Sequence, residues 1–241
     1  MSTAVILPTY NEVQNLPLLT ERLFSLPIDD LKLLILDDNS PDGTGRLADE
    51  LAEKYAGKIQ VIHRPGKMGL GSAYITGFKE MLKTPVNFIV QMDADFSHPP
   101  EKLLEMIQTS QAADIVIGSR YVKGGGLDDK WPIWRKALSS FGNTYARVIL
   151  GSRVQDMTGG FRLWKREVVE AIPLDRICSS GYVFMVEMLY VAEKMGFKIV
   201  EVPIYFAERQ YGVSKMDLSI QTEAALRVWQ LRVRYKDLKA R

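Results

Sequence analysis

The chain repeats one rhythm through its first half: a short apolar run, a polar turn, then apolar residues at helical spacing. Apolar runs fall at residues 4–7, 31–36, 59–63, 88–92 and 115–118. Helical patterns follow at 13–26, 47–55, 72–82 and 100–111; the first carries Leu16, Leu19 and Leu23. Short strands that do not alternate apolar and polar residues need burial on both faces. Helices of this length between them supply the cover, so the rhythm predicts βαβ units around a mainly parallel sheet. Beyond residue 118 the rhythm changes. Helices are expected at 134–150, 183–195 and 218–239 and a strand at 198–204, with residues 124–130 as a mobile loop.

Composition narrows the class. Hydrophobic residues make up 46% and charged residues 25% of 241, which excludes a disordered or collagen-like chain. A single cysteine, Cys178, excludes a disulfide framework and a cysteine-based zinc site, and is expected as a small buried hydrophobe. The net charge of +2 is no nucleic-acid signature. No uncharged apolar run reaches the roughly 18 residues of a membrane span. The start, MSTAVILPTYNE, lacks a basic segment and its apolar run stops at Pro8, unlike a signal peptide.

In open parallel sheets, ligands bind beyond the carboxyl ends of the strands. The polar residues there are Pro8-Thr9-Tyr10-Asn11-Glu12, Asp37-Asp38-Asn39-Ser40-Pro41-Asp42-Gly43-Thr44, Arg64-Pro65-Gly66-Lys67 and Asp93-Ala94-Asp95. The topology predicts that Glu12, Asp38, Lys67, Asp93 and Asp95 converge on one rim. Asp93 and Asp95, two residues apart in an extended segment, point to one side. Two hard oxygen ligands with open positions suit Mg²⁺ or Mn²⁺ bridged to phosphates. His98, followed by Pro99-Pro100, reads as a helix start. Gly69-Leu70-Gly71 lacks both the third glycine of a dinucleotide fingerprint and the ending of a P-loop, and reads as a tight entry into a helix. That disfavours a nicotinamide-dependent oxidoreductase. Arg209 and Lys215 bracket a glycine-containing loop of a kind suited to phosphate.

These strings, with residues 118–121 and Thr158-Gly159-Gly160-Phe161-Arg162, stand in an order that resembles the polyprenol monophosphomannose synthases (dolichol-phosphate mannosyltransferases) of glycosyltransferase family two. The resemblance covers about residues 4–215. It implies a GT-A fold, a mainly parallel central sheet flanked by helices. It also implies inverting, metal-dependent transfer of mannose from GDP-mannose to a polyprenyl phosphate. Carried over, Pro8, Tyr10, Glu12, Leu36 and Asp38 form the nucleotide pocket with Asp93, Ala94 and Asp95, which hold the metal. Ser97 stands where some relatives carry Gln as a further metal ligand, and a hydroxyl is a poorer ligand. Arg120, Arg209 and Lys215 match basic residues that hold donor and acceptor phosphates. Arg135 and Ser139 match an acceptor-phosphate pair. Glucosyl transfer to the same acceptor, and a non-catalytic nucleotide-sugar-binding protein, are the rival readings.

Family members differ at the carboxyl end, and this sequence resembles the short forms without transmembrane helices. From residue 226 onward it carries Arg227, Arg232, Arg234, Lys236, Lys239 and Arg241 against one acid, Asp237. Residues 1–217 are therefore expected as the catalytic domain and 218–241 as an amphipathic basic helix, part of that domain or interfacial. Trp131, Ile133 and Trp134 are expected to touch the bilayer or the prenyl chain. The expected location is the cytoplasmic face of a membrane, bound peripherally, with no anchoring subunit legible in the sequence.

Overall fold

The computed structural model of the protein describes residues 1–207 and 218–240, the side chains of 218–225 excepted. Nine strands and eight α-helices are assigned among the described residues. The first half runs β1 (Ser2–Thr9), α1 (Leu16–Phe24), β2 (Asp30–Asp37), α2 (Thr44–Lys54), β3 (Ile59–His63), α3 (Leu70–Met81), β4 (Phe88–Gln91), α4 (Lys102–Thr109) and β5 (Ile115–Ser119). The second runs β6 (Gly126–Leu127), α5 (Ile133–Leu150), β7 (Arg162–Lys165), α6 (Arg166–Ala171), α7 (Gly181–Lys194), β8 (Ile199–Pro203), β9 (Tyr205–Phe206) and α8 (Leu218–Arg234).

Seven strands form one sheet in the order β3-β2-β1-β4-β7-β5-β8. All its pairings are parallel except those of β7, which runs antiparallel between β4 and β5. Successive residues of β1 serve opposite layers: Val5 and Leu7 pack with Leu19, Leu51 and Leu103, whereas Ala4 and Ile6 pack with Phe78, Val168 and Leu189. That two-sided burial is why the strand reads as a continuous apolar run.

Strand β7 escapes the pattern reading because it is four residues long and begins and ends on a cation, Arg162 and Lys165. Two further expectations are corrected. Part of the loop predicted at 124–130 is ordered as β6, which pairs with β9. Cys178 lies exposed rather than buried, although its amide reaches Glu187 Oε2 at 3.3 Å and its thiol Glu187 Oε1 at 3.7 Å.

Helix α8 packs on α5 and α7. The Tyr235 hydroxyl donates to the buried Glu187 carboxylate at 2.7 Å and to the Arg176 carbonyl at 3.0 Å. Arg176 in turn pairs with Asp237 at 2.9 Å. Val228 and Leu231 of this helix, and Tyr235 just after it, join the core.

One buried polar pair links the central strands. Gln91 in β4 accepts a hydrogen bond from Trp164 Nε1 in β7 at 2.8 Å, and both side chains are fully buried. Trp164→Phe leaves Gln91 Oε1 unpaired and should cost about 2–3 kcal/mol. Adding Gln91→Leu should recover part of that loss, because an apolar pair leaves no orphaned group. Urea denaturation of the wild type, both single variants and the double variant measures the coupling.

Candidate active site

The loops after β1 and β2 are fastened to each other side chain to backbone. Asp37 accepts from Thr9 Oγ1 at 3.1 Å, from Ser40 Oγ at 2.6 Å and from the Ser40 amide at 3.0 Å. Asp42 accepts from the Val13 amide at 3.2 Å and from Thr44 Oγ1 at 2.6 Å, while Thr44 Oγ1 accepts from the Glu12 amide at 2.9 Å. Much of the 37–44 string is thus turn chemistry of the kind Asp, Ser and Thr supply. Asp38 is the exception. Its carboxylate lies 3.2 Å from the buried Arg64 guanidinium, which also donates to Ser72 Oγ at 2.6 Å. Burial raises the Asp38 carboxyl above its ordinary value, against the opposing pull of Arg64. Arg64 Nη1 is buried without a hydrogen bond, so the pair retains a donor for a ligand. Beside it, Pro8 and Leu36 are register partners at the ends of β1 and β2. Tyr10 carries the Lys67 ammonium 4.7 Å above its ring, and Glu12 accepts from Asn15 Nδ2 at 2.7 Å.

The Asp93-Ala94-Asp95 segment follows β4. Asp93 is partly exposed, whereas Asp95 and Ala94 are nearly buried. Asp95 Oδ1 accepts from the Ser97 amide at 3.0 Å and from Ser97 Oγ at 2.5 Å. Ser97, expected as a further metal ligand, is fully buried and directs its hydroxyl to Asp95. His98, expected only to start a helix, is buried in the site. Its Nδ1 accepts the Asp93 amide proton at 3.0 Å, which places the ring proton on Nε2, 3.9 Å from Asp93 Oδ2. Burial lowers the imidazole's proton affinity, with the Asp93 and Asp95 charges opposing, so the neutral ring is favoured.

The acceptor candidates lie on the far side of His98. Arg120 donates Nε to Asp156 Oδ2 at 2.8 Å and Nη2 to Asp156 Oδ1 at 2.7 Å and Thr158 Oγ1 at 2.7 Å. Its guanidinium lies between the Tyr121 and Phe206 rings, 5.3 Å from each centroid. Tyr121 and Ser139 share a hydrogen bond of 2.8 Å, which joins the end of β5 to α5. Arg135, one turn before Ser139, sits 3.6 Å over the Trp131 ring. Trp131 is therefore not at the surface as expected: it is 7% exposed, with Phe206 edge-on at 5.8 Å. The aromatic series His98–Phe206–Trp131 connects the aspartate segment to the helix carrying Arg135 and Ser139.

Two glycines let the halves approach. A side chain at Gly159 would meet the Asp156 carboxylate at 3.2 Å, and one at Gly160 would meet His98 at 3.3 Å and Asp93 Oδ1 at 3.6 Å. The string Thr158-Gly159-Gly160 threads between the two sets. It leads to Arg162, fully buried in β7, whose guanidinium donates to the Met185 and Met157 carbonyls at 2.6 and 2.8 Å. Burial lowers the Arg162 guanidinium to about 9, still protonated at neutral pH. Arg209 and Lys215 lie outside the described residues. The structure thus gathers Pro8, Tyr10, Glu12, Leu36 and Asp38 at one end of the rim, Asp93, Ala94, Asp95 and Ser97 at its centre, and Arg120, Arg135 and Ser139 at the other. His98, Asp156 and Phe206 were not singled out from the sequence, since a buried histidine, aspartate or phenylalanine carries no periodic signal.

Comparison with known proteins gives the family and the fold. The family model for Glycosyl transferase family 2 matches residues 4–172. The polyprenol monophosphomannose synthase of Mycolicibacterium smegmatis is 46% identical over 96% of this chain and 88% of that protein. The undecaprenyl-phosphate mannosyltransferase of Micrococcus luteus is 44% identical over 100% of this chain and 99% of that protein. Glucosyl-3-phosphoglycerate synthase from Mycobacterium tuberculosis, crystallised with Mn²⁺ and UDP-glucose, superposes with a TM-score of 0.65 at 17% identity, over 97% of this chain and 78% of that one. The last likeness concerns the fold, a GT-A fold. With a mainly parallel sheet, an aspartate pair at its rim and near full-length likeness to two mannosyltransferases, the chain belongs to glycosyl transferase family 2 and is a glycosyltransferase.

Proposed function

We propose that the protein transfers mannose from GDP-mannose to a polyprenyl phosphate, with inversion at the anomeric carbon. The observation that carries this reading is the convergence of Asp93 and Asp95 with Arg120, Arg135 and Ser139 across one pair of glycines. The names of the relatives at 44–46% identity support mannose transfer to a polyprenyl phosphate. An acceptor phosphate oxygen forms the bond to the anomeric carbon of the α-linked donor. The bond from that carbon to the diphosphate oxygen breaks, and its electron pair leaves with GDP. The incoming oxygen is already anionic at neutral pH, so it needs positioning rather than a general base. Arg120, Arg135 and Ser139 hold it. Arg209 and Lys215 are assigned to the phosphates by resemblance.

Asp93 and Asp95 are the residues that would hold a divalent cation, Mg²⁺ or Mn²⁺. Their hard oxygens fit such an ion. No group of three or more His, Cys, Asp or Glu among the described residues forms a closed cage, so diphosphate oxygens and water would complete the shell. When bound, the cation supplies Lewis-acid stabilisation of the leaving diphosphate. The Ser97 hydrogen bonds fix the Asp95 carboxylate in advance of binding, and His98 fixes the Asp93 backbone.

We further place the protein on a cytoplasmic membrane surface, with residues 1–217 as the catalytic domain and 218–241 packed on it at the interface. No described helix is long and apolar enough to cross a membrane. Helix α5 instead exposes Ile133 (85%), Trp134 (67%), Phe141 and Val148, and α8 beside it exposes Leu226, Trp229 and Val233. The α5 residues, with Ala137, Ser140 and Thr144, make an exposed face without a charge. Arg232 is exposed beside it and reaches the Ile149 carbonyl of α5. An apolar helix face bordered by a cation suits the boundary of an anionic bilayer. The same helix bears Arg135 and Ser139 in its first turns, so the acceptor phosphate meets its ligands at headgroup depth.

Two measurements test the proposal. Asp95→Ala should lower turnover about a hundredfold or more, as loss of diphosphate stabilisation requires. The assay extracts labelled polyprenyl phosphate sugar after incubation with GDP-mannose or UDP-glucose. Transfer from UDP-glucose alone refutes the donor assignment, and near-normal turnover by Asp95→Ala refutes the site. Separately, Trp134→Ser combined with Phe141→Ser should reduce co-sedimentation with anionic vesicles severalfold while leaving the thermal midpoint unchanged. Equal pelleting of variant and wild type refutes the membrane face.

A further inference from the structure

Asp156 is fully buried, and its carboxylate is given almost wholly to Arg120. It accepts from the Arg120 amide at 3.0 Å, from Nε and Nη2 side-on, from the Gly159 amide at 2.9 Å and from Thr158 Oγ1 at 3.4 Å. Glu201 braces it from behind, accepting the Asp156 amide at 2.8 Å and the Gln155 amide at 2.7 Å. A side-on pair of this kind fixes the guanidinium plane, which a point contact would not. Together with Thr158 it occupies Nε and Nη2 of Arg120, and Nη1 makes none of these contacts.

The Asp156 charge acts on the buried Arg162 as well as on Arg120, and Glu201 stands behind it, so two buried guanidinium groups face two carboxylates. Arg162 is spent on the Met157 and Met185 carbonyls, which leaves the side-on contact of Asp156 to fix Arg120.

We propose that Asp156 is a positioning residue for the transfer, holding Arg120 side-on so that Nη1 faces the acceptor phosphate, with Thr158 locking the same plane. The proposal rests on the reading of Arg120 as an acceptor-phosphate group. Asp156 itself touches neither substrate, so its loss should change how well the acceptor is engaged and leave the donor side unmoved.

The test is steady-state kinetics on the full chain with GDP-mannose and a short-chain polyprenyl phosphate in detergent. The variants are Arg120→Ala, Asp156→Asn, Thr158→Val and Arg120→Ala combined with Thr158→Val. Thr158→Val should raise the acceptor KM about fivefold to tenfold, the effect of one lost positioning hydrogen bond, with the donor KM within about twofold. Asp156→Asn should raise it further. The double variant should be no worse than Arg120→Ala, because Thr158 acts through Arg120. Where Asp156→Asn does not fold, Thr158→Val decides. An unchanged acceptor KM in Thr158→Val, or an equal change in both KM values, overturns the positioning role. An unchanged acceptor KM in Arg120→Ala instead removes the phosphate reading on which that role stands.

Discussion

The site depends on one strand running against the others. In a wholly parallel sheet every strand delivers its carboxyl end to the binding rim and its amino end to the opposite edge. Strand β7 pairs antiparallel with β4, Gln91 opposite Arg162, so its amino end arrives at the rim. The segment that leads into it must then cross the rim directly above Asp93 and Asp95. That is how Asp156, Thr158 and the two glycines come to stand between the two ends of the rim. It is also why glycine is needed at both places: backbone passes within side-chain distance of a carboxylate on one side and an imidazole on the other.

The parts legible in the sequence were those with a period. The strands β1 to β5 and the helices between them follow from two-sided burial and helical spacing, and the structure returns them with small shifts of boundary, α1 beginning at Leu16 instead of 13. Strand β7 was illegible because it is four residues long and opens on a buried arginine, which pattern reading assigns to the surface. The two-residue strands β6 and β9 are too short for any period to register. Trp131 was read with Ile133 and Trp134 as touching the bilayer or the prenyl chain, yet the chain enters α5 at Pro132, and Trp131 packs inward on Phe206 while Ile133 and Trp134 face out.

Of the candidate site, the aspartate pair and the strand-end strings were legible because ligand sites in open sheets have a fixed location. Their division of labour was not. Asp37, Ser40, Asp42 and Thr44 look no different in sequence from Asp38, but hydrogen bonds spend the first four on holding two loops together and leave Asp38 to pair with Arg64. Arg120 likewise reads as a simple phosphate clamp. Its partners, Asp156 and Thr158, lie 36 and 38 residues away and meet it only through the reversed strand.

The rim is also where the backbone is least relaxed. The described residues with left-handed φ that are not glycine are Asn11, Asn39 and Phe96, at 61°, 57° and 63°. They follow β1, β2 and β4, one in each loop that faces the site. Asparagine tolerates this conformation through its short polar side chain, but phenylalanine has no such relief, so Phe96 costs more. What holds Phe96 there is its neighbours: Ser97 is tied to Asp95 by amide and hydroxyl, and His98 is tied to Asp93 and stacked on Phe161 at 5.3 Å. The strain and these hydrogen bonds belong to one device. Bending the chain at Phe96 turns Ser97 and His98 back onto the two aspartates, so the carboxylates are fixed in advance and need not be reorganised when a charged ligand arrives.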